Sequence, residues 1–223
     1  MHVLNEPDRK AQNKSYMWVI GVFNQQPALI FHYFPTLKQQ VPLDLLSTAT
    51  HAIIIDSYQG YESACVKYDI QHLGCWAHAH RKFYEAKKAK TQNKIGKAEV
   101  ALSFIQKPYA FEQKTADLPP DKRQEIRQLE ANPIIEKFKE WLDKTLLNTL
   151  PDSLLGKALS YTTSQWQRLV RYTSSGHFPI DNNLAENAIR PFVVGRKNWL
   201  FANSPAGANA SSNFIQPDRN RKS

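Results

Sequence analysis

Two acidic residues stand at positions where a carboxylate could do chemistry. Asp56 lies near the end of an apolar run from His51 to Ser57, and a carboxylate at a strand exit is costly unless it is paired, hydrogen-bonded or bound to a cation. Glu186 precedes Arg190 by four positions, a spacing that permits an ion pair on one helix face. Asp56 is the best single functional candidate in the first half of the chain. The alternatives are a turn residue at position 56 and a glutamate at position 186 that only meets its helix dipole favourably.

Cys75 and His78 stand three positions apart, flanked by His72 and His80, and these residue types also occur in zinc sites. A zinc finger needs a second pair of ligands at matching spacing, and the chain contains two cysteines in all. The spacing therefore favours a different role for His78. We expect it to lie at the head of a helix and to orient backbone or a carboxylate near the active site.

A basic segment follows Glu186 and contains Arg190, Arg196, Lys197, Asn198 and Trp199. Its cations are suited to phosphate groups and its indole ring to stacking on bases. The alternative is a solvated basic turn whose aromatic residues belong to the core. We expect a mixture of the two, with cations facing outward and aromatic rings facing inward.

Strands and helices that alternate along the first ninety residues would position Asp56. The predicted order is a hairpin, a helix, a strand, a helix, a strand and a helix, at residues 16–23 with 28–34, 37–47, 51–57, 61–68, 70–75 and 77–90. Pro42 should lie in the first turn of its helix. The strand at 51–57 is expected to be buried on both faces. This order implies a mixed α/β sheet.

The second half of the chain changes character. From about residue 98 to 172, apolar residues recur at helical spacing without any strand pattern, which predicts an all-helical block. Pro119-Pro120 and Pro151-Asp152 should divide it into separate helices. A short helix from Leu184 to Arg190 should then follow the capping side chains of residues 181–183.

Composition limits the classes of protein to which the chain can belong. With 223 residues, 42% of them hydrophobic, it can bury a substantial core. Lysine and arginine outnumber aspartate and glutamate 29 to 20, and this excess favours a polyanionic partner. Two cysteines, no apolar leader and no run long enough to span a bilayer predict a cytoplasmic protein without a membrane role.

Several blocks in order resemble the transposases of the insertion sequence 66 family, members of the DDE group with a ribonuclease-H-like fold. The blocks are Ser15 to Val19, Asp56 with Tyr58-x-Gly60-Tyr61, Gly74 to His78 with Arg81-Lys82-Phe83, Ala158-x-x-Tyr161 with Trp166, Asp181 to Pro191, and Gly195 to Phe201. Together they extend from about residue 3 to residue 212.

The resemblance implies a metal-dependent DNA strand-transfer enzyme. Asp56 would be the second acid of the catalytic triad and Glu186 the third, holding Mg²⁺ or Mn²⁺ for cleavage of the element ends and attack on target DNA. Cys75 and His78 match a signature of the family, with Asn182 and Asn183 as supporting residues. Expected DNA-binding residues are Arg190, Arg196, Lys197, Asn198, Arg81 and Lys82. Full-length transposase copies are possible further partners.

The chain departs from the pattern of the family in several places. The first acid and the central strand of the sheet lie upstream of Met1 in that pattern, so we expect a fragment that is inactive alone. His80 stands where arginine is usual. Pro108 stands where leucine is usual, and it should interrupt a helix at a cost of about 3 kcal/mol in an interior position. The resemblance stops after Ser212, which suggests a frameshifted tail.

The resulting expectation is a ribonuclease-H-like mixed sheet without its first, central strand, interrupted by an all-helical insertion. Its predicted segments are a partial core with Asp56, the insertion, a core continuation with Glu186 and the tail, at residues 1–97, 98–172, 173–212 and 213–223. Two alternatives to an active transposase subunit stay open. One is a non-catalytic DNA-binding remnant of the same ancestry, and the other is a helical protein-interaction module.

Overall fold

The computed structural model describes residues 2–3, 10, 15–22, 28–36, 38, 40–47, 51–55, 59–89, 95–187, 190, 201–202 and 204–207. The chain divides into two compact units. The first comprises Met1–Thr48, Gly60–Ala64 and Asn183–Ser223, and the second comprises Ala49–Gln59 and Cys65–Asn182.

The first unit contains the predicted hairpin. After a two-residue strand β1 (His2–Val3), the strands β2 (Tyr16–Val22) and β3 (Ala28–Phe34) pair antiparallel, with Tyr16 opposite Phe34 and Val22 opposite Ala28. Trp18 is buried, and its ring meets Tyr61 edge-on with centroids 5.5 Å apart. β1 pairs in parallel with Phe201–Ala202. The hairpin prediction is confirmed, and its turn at 24–27 lies outside the described residues.

The first helix, α1 (Gln40–Leu45), is shorter than the predicted range and buries Val41 and Pro42. Pro42 is its third residue. At that position proline removes an N–H that has no intrahelical partner in any case, so the helix tolerates it. The prediction that Pro42 marks the first turn is confirmed.

The second unit contains a parallel strand pair. β4 (Ala52–Ile54) aligns with β5 (Gln71–Leu73), with Ile53 opposite His72, and α2 (Glu62–Lys67) lies between the two strands in the chain. Parallel neighbours need such a crossover because a tight turn cannot join them. The expectation that this strand is buried on both faces is wrong. Residues 52–55 are half-buried, so the described part of the chain does not cover both faces of β4 completely.

Helices and short connections make up residues 97–174, here called the helical block, and no strand lies in it. α3 (Trp76–Lys88) precedes it and packs against α4 (Lys97–Lys114) and α7 (Leu154–Ser164). The block continues through α5 (Pro120–Ile126), a π-helical stretch (Arg127–Ala131), α6 (Asn132–Leu147), α8 (Trp166–Val170) and a 3-10 turn (Arg171–Ser174). The two predicted proline breaks are confirmed, because α5 starts at Pro120 and α7 starts after Pro151.

Aromatic rings fill the core between α3 and the helical block. Phe138 stacks on Phe104 at 5.1 Å and meets Trp166 edge-on at 6.0 Å, and Trp76 meets Tyr172 edge-on at 6.5 Å. Phe138 and Trp76 are almost completely buried. Each such ring removes a large apolar area from water, so this core is the main source of stability in the unit.

Pro108 does not interrupt its helix, and that expectation is wrong. α4 runs from Lys97 to Lys114 with Pro108 inside it and buried. Proline removes the bond that residue 108 would donate to the carbonyl of Phe104. The helix continues because the packing of Ala101, Leu102 and Ile105 into the core outweighs one lost backbone bond.

The architecture is mixed α/β, mostly helical, with three two-stranded sheets among the described residues. The ribonuclease-H-like sheet stays a prediction. No helix in the described ranges is long and apolar enough to cross a membrane.

Candidate functional site at a strand exit

The exit of β4 leads to the first predicted carboxylate. The strand ends at Ile54, and the N–H of Ile55 donates to the carbonyl of Leu73 at 3.5 Å. Asp56 is the next residue and lies outside the described residues. The predicted convergence of Asp56 with Glu186 therefore stays a prediction.

The exit of β5 is held by backbone bonds to the helical block. The N–H of Gly74 donates to the carbonyl of Arg168 at 2.8 Å. A Cβ on Gly74 would lie 2.9 Å from the backbone nitrogen of Leu169, so this close approach requires glycine. Trp76 Nε1 donates to the carbonyl of Leu169 at 2.8 Å, and the N–H of Trp76 donates to the carbonyl of Ile180 at 3.2 Å. These bonds join the start of α3 to α8 and to the segment before Asp181.

Cys75 lies between these anchors, and its thiol contacts a predicted supporting residue. Its Sγ donates to Oδ1 of Asn182 at 2.9 Å. Burial raises the pKa of the Cys75 thiol to about 11, although hydrogen bonds involving Asn182, His78 and Ala77 act in the opposite direction. The thiol therefore keeps its proton near neutral pH and acts as a donor that orients the Asn182 amide.

A second side-chain bond holds the adjacent residue. The Tyr109 hydroxyl, on α4, donates to Oδ2 of Asp181 at 2.7 Å. Burial, and then this bond to Asp181, raises the pKa of Tyr109, so that the phenol stays protonated. We call Cys75, Tyr109, Asp181 and Asn182 the strand-exit cluster. Its two bonds fix residues 181 and 182, directly before the helical segment 183–187.

The sequence reasoning found only part of this cluster. It singled out Cys75 and Asn182 through the family signature, and it gave Asp181 as a helix cap and as the start of a block shared with the family. Tyr109 was missed. Its bond to Asp181 joins residues 72 positions apart, and no local pattern indicates such a contact. The one nearby signal in the sequence was Pro108, which precedes Tyr109 within an otherwise helical pattern.

The other predicted site residues are dispersed. Glu186 is half-buried in the helical segment 183–187, while Asn183 and Arg190 are exposed. On α3, Arg81 is exposed, and Lys82 places Nζ 4.7 Å from the centre of the Tyr161 ring. His78 is half-buried in the first turn of α3, as predicted. Three predicted DNA-binding residues lie outside the described residues, namely Arg196, Lys197 and Asn198.

The donor groups of the strand-exit cluster do not fit a zinc site. A structural zinc site needs four thiolate, imidazole or carboxylate ligands, whereas the cluster has one thiol and one carboxylate, and the Cys75 thiol donates to the Asn182 amide. Across the part of the chain that the structure describes, no three His, Cys, Asp or Glu side chains lie close enough together to hold a metal ion. The predicted ligands Asp56 and Glu186 are oxygen donors of the type that Mg²⁺ prefers.

Comparison with known proteins gives one family and several uncharacterised relatives. Uncharacterized protein y4hP of Sinorhizobium fredii (strain NBRC 101917 / NGR234) is 27% identical over 199 residues, which cover 83% of this chain and 36% of the relative. Uncharacterized protein y4qI of the same strain is 31% identical over 138 residues, or 62% of this chain and 25% of the relative. The chain thus spans roughly a third of the length of the curated relatives it matches.

No solved structure matches the chain. The model of the family described as "Transposase IS66 family" matches residues 1–210. This range includes both predicted acids, the Cys75 and His78 signature and the whole helical block. The chain therefore belongs to the insertion sequence 66 family of transposases.

Proposed function

We propose that this chain forms part of a transposase catalytic core that binds DNA and takes part in its cleavage and strand transfer. The family match over residues 1–210 carries the proposal. Asp56 and Glu186 each contribute a carboxylate to divalent-cation chemistry, with Mg²⁺ or Mn²⁺ as the ion. Such ions activate water and the freed 3′-hydroxyl for in-line attack on phosphorus.

The strand-exit cluster supports this role as a positioning device. Asp181 and Asn182 are each held by a side chain from another element, and Glu186 follows four residues after Asn182. A carboxylate that ligates a cation must be held in place to within a fraction of an ångström. Cys75 and Tyr109 are therefore proposed as positioning residues of Asn182 and Asp181, whereas Asp56 and Glu186 are the proposed catalytic residues.

Cleavage of a duplex that ends in the terminal inverted repeat of the element tests the proposal. A catalytic contribution predicts nicking at the repeat end with Mg²⁺ or Mn²⁺ that disappears in Asp56→Ala and in Glu186→Ala, whereas a fragment that is inactive alone leaves the duplex intact. Asp152→Ala and Glu136→Ala are matched controls, because both residues are exposed acids of the helical block. Cleavage that survives Asp56→Ala would contradict the catalytic assignment.

A non-catalytic DNA-binding role is the second candidate, favoured by the exposed basic residues Arg81, Lys87 and Lys88 of α3. The same preparation distinguishes the two. A duplex that shifts at low salt without being cut supports binding alone, since electrostatic binding is strongest there. Failure of the protein to shift DNA at low salt would contradict both candidates. The helical protein-interaction module would then be the remaining hypothesis.

A further inference from the structure

Three side chains form a row along α3, at positions one helical turn apart. The imidazole of His80 lies parallel to the Tyr84 ring, with an interplanar angle of 15° and centroids 6.2 Å apart. Lys88 Nζ lies 5.0 Å from the centre of the same ring. We call these three residues the α3 ridge. His80 comes one turn before Tyr84 and Lys88 one turn after it, so the three side chains lie on one side of the helix.

The ridge combines three polar groups that can meet a ligand. His80 and Lys88 both contact the Tyr84 ring, and Tyr84 and Lys88 are exposed. Burial lowers the pKa of His80, which favours a neutral imidazole, and this form still carries one N–H donor. The ridge therefore carries an imidazole, a phenol and an ammonium group on residues about 6 Å apart along the helix axis.

The surroundings of the ridge are basic. Arg81 and Lys87 are exposed on the same helix, and Glu85 is the single acid in α3. Contacts at this spacing also add a few tenths of a kcal/mol to helix stability, and a purely structural stack would need nothing more. Yet Tyr84 is 43% exposed, and a row of donors bordered by cations complements a polyanion.

We infer that the α3 ridge binds the phosphodiester backbone of DNA, an inference that rests on the proposed function. Half to two-thirds of protein–DNA hydrogen bonds go to phosphate and sugar, and lysine and tyrosine side chains are among their donors. Contacts of this kind hold a duplex without reading its bases. The ridge therefore contributes affinity and orientation, and it does not determine which sequence is bound.

The test is a salt titration of binding to a random-sequence duplex by the full chain and its variants. Lys88→Ala should weaken binding up to about tenfold at low salt and lower the slope of log affinity against log salt by about one. Lys137→Ala is the matched control, an exposed lysine on α6 with the same charge change. It should alter affinity less than about twofold and leave the slope unchanged.

Tyr84→Phe keeps the ring and removes only the hydroxyl. We expect a loss of affinity of a few-fold with unchanged thermal stability, because the stack with His80 and Lys88 stays intact. The inference is overturned if Lys88→Ala and Lys137→Ala weaken DNA binding equally and Tyr84→Phe leaves the affinity unchanged. In that case, DNA binding by the parent chain still supports the proposed function. Failure of the parent chain to bind DNA would instead contradict the proposed function.

A competition experiment excludes an acidic protein as the occupant. Poly-glutamate at equal charge concentration should displace the duplex poorly from the parent chain, since carboxylates do not reproduce the spacing of a phosphodiester backbone. Displacement as effective as that by unlabelled duplex, and equally sensitive to Lys88→Ala, would assign the ridge to an acidic polypeptide and overturn the DNA inference.

Discussion

The helical block and the strand-exit cluster are held together in different ways. In the block, rings and aliphatic side chains such as Phe138, Leu142 and Leu159 each contact several neighbours, so that no single contact is decisive. The cluster depends on two side-chain hydrogen bonds, Cys75 to Asn182 and Tyr109 to Asp181. Apolar packing is redundant, whereas a buried polar group depends on its own partner.

One residue of the helical block, Arg127, also depends on individual hydrogen bonds. Arg127 is 1% exposed and donates from Nε and Nη2 to both carboxylate oxygens of Glu112. Its guanidinium also donates to the carbonyls of Tyr172, Ser175 and Phe178, the segment that leads to Asp181. Arg127 therefore links the block to the chain entering the cluster, and its loss should show which region depends on the other.

The largest expected effect is that of Arg127→Met. It removes the Arg127 donors from the Glu112 carboxylate and from three carbonyls, and breaking a buried ion pair in this way costs about 3–5 kcal/mol. Urea unfolding of variant and parent would measure the difference. Lys122→Met is the control, because the exposed pair of Lys122 with Glu125 should leave the unfolding midpoint unchanged. Similar midpoints for the two variants would contradict the role of Arg127 as a link.

Tyr109→Phe should come next. It removes the donor to Asp181 while keeping the ring, and losing a buried bond to a charged group costs about 1–3 kcal/mol. Urea unfolding would measure the loss of stability, with Tyr84→Phe on the surface of α3 as a matched change that should be neutral. If repeat-end cleavage is observed, Tyr109→Phe should also reduce it. If the variant is as stable as the parent, the strand-exit cluster tolerates the loss of one hydrogen bond, just as the helical block tolerates the loss of one contact.

Cys75 predicts a pH effect. Its pKa is raised from 9.0 to about 11 in the folded protein, so its contribution is fully present below pH 9 and is lost as pH rises from 9 towards 11. The stability advantage of the parent over Cys75→Ala should therefore shrink by about 1–2 kcal/mol between pH 8 and pH 10.5. Unfolding curves of both proteins at several pH values measure it. A constant difference would show that Cys75 is not buried as a protonated donor.

The smallest effect is expected at the start of α7. The Ser153 hydroxyl accepts from the N–H of Gly156 at 2.9 Å, and replacing such a cap by alanine costs about 1 kcal/mol. Thermal unfolding of Ser153→Ala measures the change, with Ser160→Ala on the exposed side of the same helix as a control that should be neutral. A loss of stability larger than that of Tyr109→Phe would contradict the proposed difference between the helical block and the strand-exit cluster.

The sequence predicted most of the secondary structure, because its signals are local. Alternating β-branched and aromatic residues indicated the hairpin of β2 and β3, and apolar periodicity with two proline breaks indicated the helical block. It was wrong about Pro108, which lies inside α4, because local propensity carries no information on how much packing stabilises a helix. The same limit explains why the burial of β4 was overestimated.

The residues and their order were sufficient to identify the family, to predict Asp56 and Glu186 as catalytic acids, and to single out Cys75 with Asn182. Only the tertiary structure brought the Cys75 thiol against the Asn182 amide, Tyr109 against Asp181, and Arg127 against three carbonyls of the following segment. The physical reason is the distance along the sequence between the residues that interact. Helix and strand patterns arise between residues a few positions apart, whereas these bonds join residues 45 to 107 positions apart and form only after the intervening helices have packed.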